Sequence, residues 1–210
     1  MAENIVIIGA GAAGMMAAIQ AARLGKKVTL LERNDRPGRK IIITGKGRCN
    51  VTNAVNLLNE LISAVPVNGR FLYSAFSNFM PQDTMDFFEQ EGVALKIERG
   101  NRVFPVSDSS MDIVDALYNA AKKAGVAFKK GRAVDLVIED GAVTGVVTGV
   151  VTEEGEAVSA SSVLVATGGK SYPGTGSTGD GYMLAQKAGH TVTELKPSLV
   201  PLEIHEGFCS

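Results

Sequence analysis

The sequence predicts an α/β fold with a parallel sheet, organised around a β-α-β unit. Three observations carry that expectation. A short apolar run, "NIVIIG" at residues 4–9, leads into a Gly9-x-Gly11-x-x-Gly14 turn and an alanine-rich stretch. A second apolar run, "KKVTLLE" at 26–32, ends on an acidic residue eighteen positions after Gly14. Far downstream, an apolar strand at 163–167 opens into the glycine-rich stretch "GGKSYPGTGSTGDG".

Taken in order, residues 4–9 form the kind of β-branched run that a parallel sheet buries on both faces. From Ala10 to Leu24 alanine and methionine favour a helix, which Gly25 ends. Residues 26–32 are the second strand, so the crossover should be right-handed. "MPQDTMDFFEQEG" reads as a helix from near Pro81 to Gly92, and "DSSMDIVDALYNAAKKAG" as one capped by Asp108 or Ser109 and closed at Gly125. Between them "VALKIERGNRVFPV" reads as a hairpin around Gly100 and Asn101. Residues 126–167 offer strands separated by "EDGA" and "EEGE" turns, whose repeated "TGVV" is too short for a solenoid unit. A last helix runs from about Tyr182 to Lys187 and closes at Gly189. From Thr191 the chain is extended and punctuated by proline.

Composition bounds the rest. A chain of 210 residues with 45% hydrophobic content holds one sizeable core and at most two domains. A formal charge of -1 leaves no nucleic-acid footprint, so no such partner is expected. Cys49 and Cys209 are too few for a disulfide framework or a four-cysteine zinc site, and His190 and His205 lack zinc-site spacing, so no metal is expected. The N-terminus lacks the basic segment and cleavage site of a signal peptide, and no stretch reaches membrane-spanning length without glycine or charge. A cytoplasmic protein with no membrane partner is the expectation.

Each glycine of the first turn has a mechanical reason. Gly9 permits the tight turn, Gly11 lets the backbone approach a pyrophosphate, and Gly14 lets the helix pack closely on the sheet. The helix N-terminus adds free N–H groups and roughly half a positive charge. Glu32 stands where a carboxylate accepts hydrogen bonds from an adenosine ribose. Arg33 beside it could serve a 2′-phosphate and so NADP, but Glu32 would repel that phosphate.

The stretch "KIIITGKGRCNVTN", residues 40–53, is rich in donors. It is no Walker A loop, since Lys40 stands where that motif requires glycine. A connection after the second strand instead lies along an extended dinucleotide at the carboxyl edge of the sheet. There Arg39, Lys40 and Arg48 can offset phosphate charge, Gly45 and Gly47 can bring backbone N–H groups near, and Asn50 can satisfy ring heteroatoms. The apolar "III" should tie the loop to the core. Cys49, without a C-x-x-C partner, reads as a small residue packed beside the ligand rather than a redox thiol. The aromatic set Phe71, Tyr73, Phe76, Phe79, Phe87 and Phe88 reads as the core of the helical segment, and Tyr172 as the one aromatic near the ligand.

"IVIIGAGAAGMMAA", "TGKGRCNVTN", "NRVFPVSDSS", "VLVATGGKSYPGTGSTGDGY" and "KPSLVPL", in that order, resemble the bacterial FAD-dependent oxidoreductases of the aminoacetone-oxidase-like group, which includes bile-acid dehydro-reductases. The resemblance implies FAD as cofactor and a Rossmann-like FAD-binding domain over 1–192, with a helical and hairpin insertion at about 55–110 and a β-meander at about 132–160. It implies that residues 193–210 begin an inserted β-rich domain. By the same resemblance Gly9, Gly11, Ala13 and Gly14 form the diphosphate turn, Glu32 holds the ribose, and Arg39 with Lys40 makes the neighbouring contact. Gly45, Arg48, Cys49 and Asn50 line the flavin side, Val134 the adenine side, and Thr167, Gly168 and Gly169 the close pass of the third β-α turn. Thr44 replaces a commoner serine and keeps the hydroxyl. Family members run to about twice this length, so the chain is expected to be an N-terminal part that binds FAD weakly, with a disordered or intermolecularly paired tail after about Pro197.

The expected activity is hydride transfer between FAD and a small organic substrate or NAD(P)H. An NAD(P)-only dehydrogenase and a non-catalytic dinucleotide-binding fragment are the alternatives. Neither the substrate nor the catalytic residues nor the oligomeric state can be read from the residues.

Overall fold

A computed structural model describes residues 4–140 and 145–197, and of residues 140 and 145–149 the backbone alone. In chain order the elements are β1 (Asn4–Ile8), α1 (Ala12–Arg23), β2 (Lys27–Glu32), α2 (Arg39–Ile43), β3 (Thr52–Asn53), α3 (Leu58–Ser63), α4 (Tyr73–Asn78), α5 (Pro81–Gln90), β4 (Leu95–Glu98) and β5 (Arg102–Pro105). They continue with α6 (Ser110–Lys123), β6 (Ala127–Lys130), β7 (Ala133–Asp140), β8 (Gly145–Thr152), β9 (Ala157–Ser159), β10 (Ser162–Val165) and α7 (Asp180–Lys187).

The α/β expectation holds. Four parallel strands form a sheet in the order β10-β1-β2-β6, with Val6 opposite Thr29 on one side and Val163 on the other. Successive side chains of a strand point to opposite faces, so β1 feeds two cores. Ile5 and Ile7 pack with residues of α1 and α6. Val6 and Ile8 pack with Ala133, Val150 and Leu184, from β7, β8 and α7. Each such buried aliphatic side chain contributes about 1.5–3 kcal/mol relative to exposure. The result is a sheet with helices on one face and a three-stranded antiparallel sheet, β7-β8-β9, with α7 on the other.

Several boundaries shift by one or two residues, and two expectations change in substance. The meander expected at about 132–160 is the antiparallel sheet β7-β8-β9, while β6, just before it, joins the parallel sheet beside β2. The reason is the crossover: α6 packs on α1, so the strand after it returns parallel to β2. Neither Asp108 nor Ser109 caps α6 with its side chain. Ser109 holds the cap position without such a bond, and Asp108 instead pairs with Arg48 and Lys96. The last helix starts at Asp180 rather than Tyr182.

The aromatic set also divides. Phe87 and Phe88 are buried and meet edge to face, with centroids 5.1 Å apart. Phe76 is half-buried, and Phe71, Tyr73 and Phe79 are exposed, Phe71 by 86%. Helices α3 and α4 have six residues each, too few turns to present a broad apolar stripe to the core. The hairpin β4–β5 is as expected, with Gly100 and Asn101 both at positive φ (78° and 56°) in the three-residue connection between the paired Glu98 and Arg102. The tail after Pro197 and the start of a second domain lie outside the described residues, apart from 193–197, which carry no regular element.

Candidate cofactor-binding cleft

Strands β1, β2 and β10 run parallel, so their carboxyl ends share one edge of the sheet, where ligands of open α/β folds bind. A cleft of about 940 Å³ opens there. Its floor is the glycine-rich turn, held by three backbone bonds: Gly9 N–H donates to Leu31 O (2.7 Å), Gly38 N–H to Ala10 O (2.8 Å), and Ala166 N–H to Ile8 O (2.8 Å).

The three glycines of the turn sort by what surrounds them. A Cβ on Gly14 would lie 1.8 Å from Gly9 O, so helix and turn pack backbone to backbone. A Cβ on Gly9 would lie 2.6 Å from Ala166 O, and its φ of 104° excludes most side chains. Gly11 differs: its φ is -80°, and a Cβ there would meet nothing within 4 Å. Two glycines therefore serve the fold, and the third keeps cleft space free at the start of α1. The donor chemistry of a helix N-terminus beside that free space fits a diphosphate.

Glu32 links the turn to the end of β2. Its carboxylate accepts from Ala10 N–H (2.7 Å), Asn34 N–H (2.8 Å) and the Asn34 side-chain amide (2.7 Å). Three of its roughly four acceptor positions are thus used internally, which leaves about one for a ribose hydroxyl. Arg39 donates to Asn34 Oδ1 (3.1 Å), and Lys40 Nζ reaches Ser171 O (2.9 Å). These bonds join the start of α2 to the end of β2 and to the glycine-rich stretch after β10.

Asp180 organises a second cluster in the cleft wall. It is 6% exposed and receives Arg132 through two bonds (2.8 and 3.1 Å), Arg33 (3.1 Å) and Thr178 Oγ1 (2.7 Å). The Arg132 hydrogen bonds hold its carboxyl below the usual carboxylate range, against the effect of burial. Arg33 is thereby occupied by Asp180 and Thr178. Sequence reasoning missed Asp180, Arg132 and Asn34. The signal for Asp180 was the Thr178-Gly179-Asp180-Gly181 stretch, where an acidic residue directly follows a glycine at positive φ and opens α7.

The loop after α2 folds back on itself. Gly45 and Lys46 lie in the left-handed region, and a Cβ on Gly45 would meet Asn50 N at 2.8 Å and the Phe104 ring at 3.0 Å. The close approach that Gly45 permits is thus to its own chain. Arg48 stacks on Phe104 at 4.2 Å and pairs with Asp108 (2.7 Å) and with Glu98, which pins the loop to the β4–β5 hairpin. Cys49 is buried with φ 60°, and burial pushes its thiol up, so it stays protonated near neutrality.

Of the sequence-selected residues, Gly9, Gly11, Ala13 and Glu32 line the cleft, as do Arg33, Arg39 and Lys40. Cys49, Asn50, Thr167 and Gly168 line it too. Gly14, Gly45, Arg48, Val134 and Gly169 stand outside that lining. Gly14 and Gly45 act by close packing, Arg48 through its ion pairs, and Val134 O accepts from Lys187 (2.9 Å). Gly169 packs near the Tyr182 hydroxyl, 3.4 Å from a Cβ placed there. Tyr172 is 69% exposed.

Comparison with known proteins gives a consistent picture. The family pattern described as HI0933-like protein Rossmann domain matches residues 3–199. The chain is 35% identical over 204 residues to the ribosomal RNA dihydrouridine synthase of Escherichia coli K12, covering 97% of this chain and 48% of that protein. It is 34% identical over 207 residues to the 3-dehydro-bile acid delta(4,6)-reductase of Clostridium scindens, covering 96% and 48%. The chain thus spans about half the length of these relatives. Among solved structures, the open conformation of a flavocytochrome c3 fumarate reductase superposes with a TM-score of 0.70 at 25% identity, over 89% of this chain and 40% of that one.

Proposed function

This chain belongs to the HI0933-like Rossmann family, a group of flavin oxidoreductases, and from that premise we propose that it binds FAD along the cleft and forms the cofactor-holding part of a reductase acting on a carbon–carbon double bond conjugated to a carbonyl. The observation that carries the cofactor assignment is the glycine sorting. Gly9 and Gly14 are filled by the fold, while Gly11 alone faces open cleft at a helix N-terminus.

The names of the relatives support the reaction class. Dihydrouridine is uridine with hydrogen added across its C5–C6 double bond, a delta(4,6)-reductase of a 3-dehydro bile acid saturates a conjugated ketone, and fumarate is an alkene between two carboxyl groups. Bound in the cleft in its reduced form, the flavin would supply the hydride. The chain's own residues hold and shield: the N-terminus of α1 takes the diphosphate, Glu32 offers its remaining acceptor position to a ribose hydroxyl, and Arg39 and Lys40 offset phosphate charge. The neutral Cys49 and the apolar side chains of Val51 and Phe88 keep one wall of the cleft low in polarity. NAD(P)H is the proposed source of electrons. Two relatives named as ribosomal RNA dihydrouridine synthases weigh against the expectation that nucleic acid is no partner, so the substrate class is set by the bond reduced rather than by molecular size.

Titration of the purified chain with FAD and, separately, with NAD tests the reading. Binding of FAD with little or no binding of NAD is expected. Saturable NAD binding with none of FAD would overturn it in favour of a nicotinamide-only dehydrogenase.

A further inference from the structure

We propose that Asn50 is a specificity-determining residue whose side-chain oxygen accepts a hydrogen bond from the N–H of a cyclic imide. The inference rests on the flavin reading above and names an atom within it. An asparagine amide has one acceptor end and one donor end, and its surroundings decide which end faces a ligand. Here the orientation that satisfies the amide directs Nδ2 to two backbone carbonyls, Thr52 O at 3.0 Å and Val103 O at 3.3 Å. Both carbonyls belong to the paired strands β3 and β5, in which Thr52 stands opposite Val103. With the donor end held by the sheet, Oδ1 points away from it, on an exposed residue that lines the cleft.

The loop secures that arrangement. Val51 N–H donates to Val103 O (2.9 Å), and Cys49 N–H to Thr44 O (3.0 Å). Gly45 leaves room for Asn50 N, where any side chain would collide. Rotating the amide to offer its N–H₂ group to a ligand would leave two carbonyls facing an oxygen. The cleft therefore presents a fixed acceptor at Asn50, which selects an N–H donor over a carbonyl. A ring imide carries such a donor between two carbonyl groups. The pyrimidine ring of a flavin and the uracil ring both contain one, and a bile-acid skeleton does not.

The test measures binding of FAD and of FAD methylated on the imide nitrogen, and of uridine and N3-methyluridine, to the full chain by calorimetric titration. The wild-type chain should prefer FAD over its methylated analogue by about tenfold. Asn50→Ala should erase that preference while still binding FAD. Asn50→Ser, whose hydroxyl is too short to reach the same point, carries the same expectation should the alanine variant not fold. A preference confined to the FAD pair places the cofactor at Asn50, and one confined to the uridine pair places a substrate there. A preference that survives in both variants, or is absent from both pairs in a wild type that binds FAD, overturns the inference. Failure of the wild type to bind FAD overturns the proposed function instead, and the uridine pair then decides the imide reading alone.

Discussion

The carboxylate of Glu32, at the end of β2, accepts the backbone N–H of Ala10 in the glycine-rich turn at 2.7 Å. The bond ties together the two parts of the cleft that would hold a nucleotide, so Glu32 is both a scaffold residue and a candidate ligand. Changing Glu32→Ala removes three accepted bonds, from Ala10 and Asn34. A stability loss of about 1.5–3 kcal/mol is expected, with a ten- to hundredfold drop in FAD affinity. Parallel denaturant unfolding and calorimetry check the two effects. Unchanged FAD affinity in a variant that unfolds more easily would leave Glu32 with the scaffold role alone.

Gly11 and Gly14 should part company on mutation. Gly11→Val meets open space on an ordinary backbone conformation, so the fold should keep its melting temperature while FAD binding is lost. Gly14→Ala drives a methyl group into Gly9 O and should destabilise by about 1–3 kcal/mol or more. Flavin retained at the wild-type ratio in Gly11→Val would remove the diphosphate from this turn.

The Asp180 cluster gives a pH dependence with a definite sign. Its carboxyl is depressed in the folded chain, so its contribution is fully present above the unfolded value of about 3.9 and is lost as pH falls through the lower folded value. Arg33 and Arg132 are about a third exposed, which limits the contribution to about 1–2 kcal/mol. Asp180→Asn should therefore cost that much at pH 7, and the difference from wild type should shrink below about pH 4. Unfolding curves that differ by the same amount at pH 7 and pH 2 would show that charge is not the cause.

Arg48 acts on the cleft through the loop. Its ion pairs with Glu98 and Asp108 are solvent-screened, so Arg48→Ala should cost little stability, and less again at high salt. Because the same side chain pins the segment carrying Cys49 and Asn50, FAD affinity should fall more than in the control Lys122→Ala. Equal, small effects of the two substitutions would mean that the loop holds its shape without Arg48.

Much of the fold was legible because its signals are local. Apolar runs at 4–8 and 27–32, a turn whose glycines answer to steric need, and helices closed by Gly25, Gly92 and Gly125 each follow from a few neighbouring residues. Strand β6 shows where such signals stop. "AFKK" is too short and too polar to say which sheet it joins, and the packing of α6 on α1 places it in the parallel sheet. Asp180 was hidden for the same reason, since its partners lie 48 and 147 positions away.

By itself the sequence determined the α/β class, the turn at Gly9–Gly14, the acidic end of β2, and a set of candidate residues most of which came to line one cleft. Backbone sterics and hydrophobic periodicity act over a few residues and can be read in one dimension. The tertiary structure alone decided that Gly11 faces open space while Gly9 and Gly14 do not, that Arg33 is occupied by Asp180, that Arg48 braces a loop, and which end of the Asn50 amide is free. Those outcomes depend on which distant groups compete for each donor and acceptor, and that competition is settled only when the chain has closed on itself.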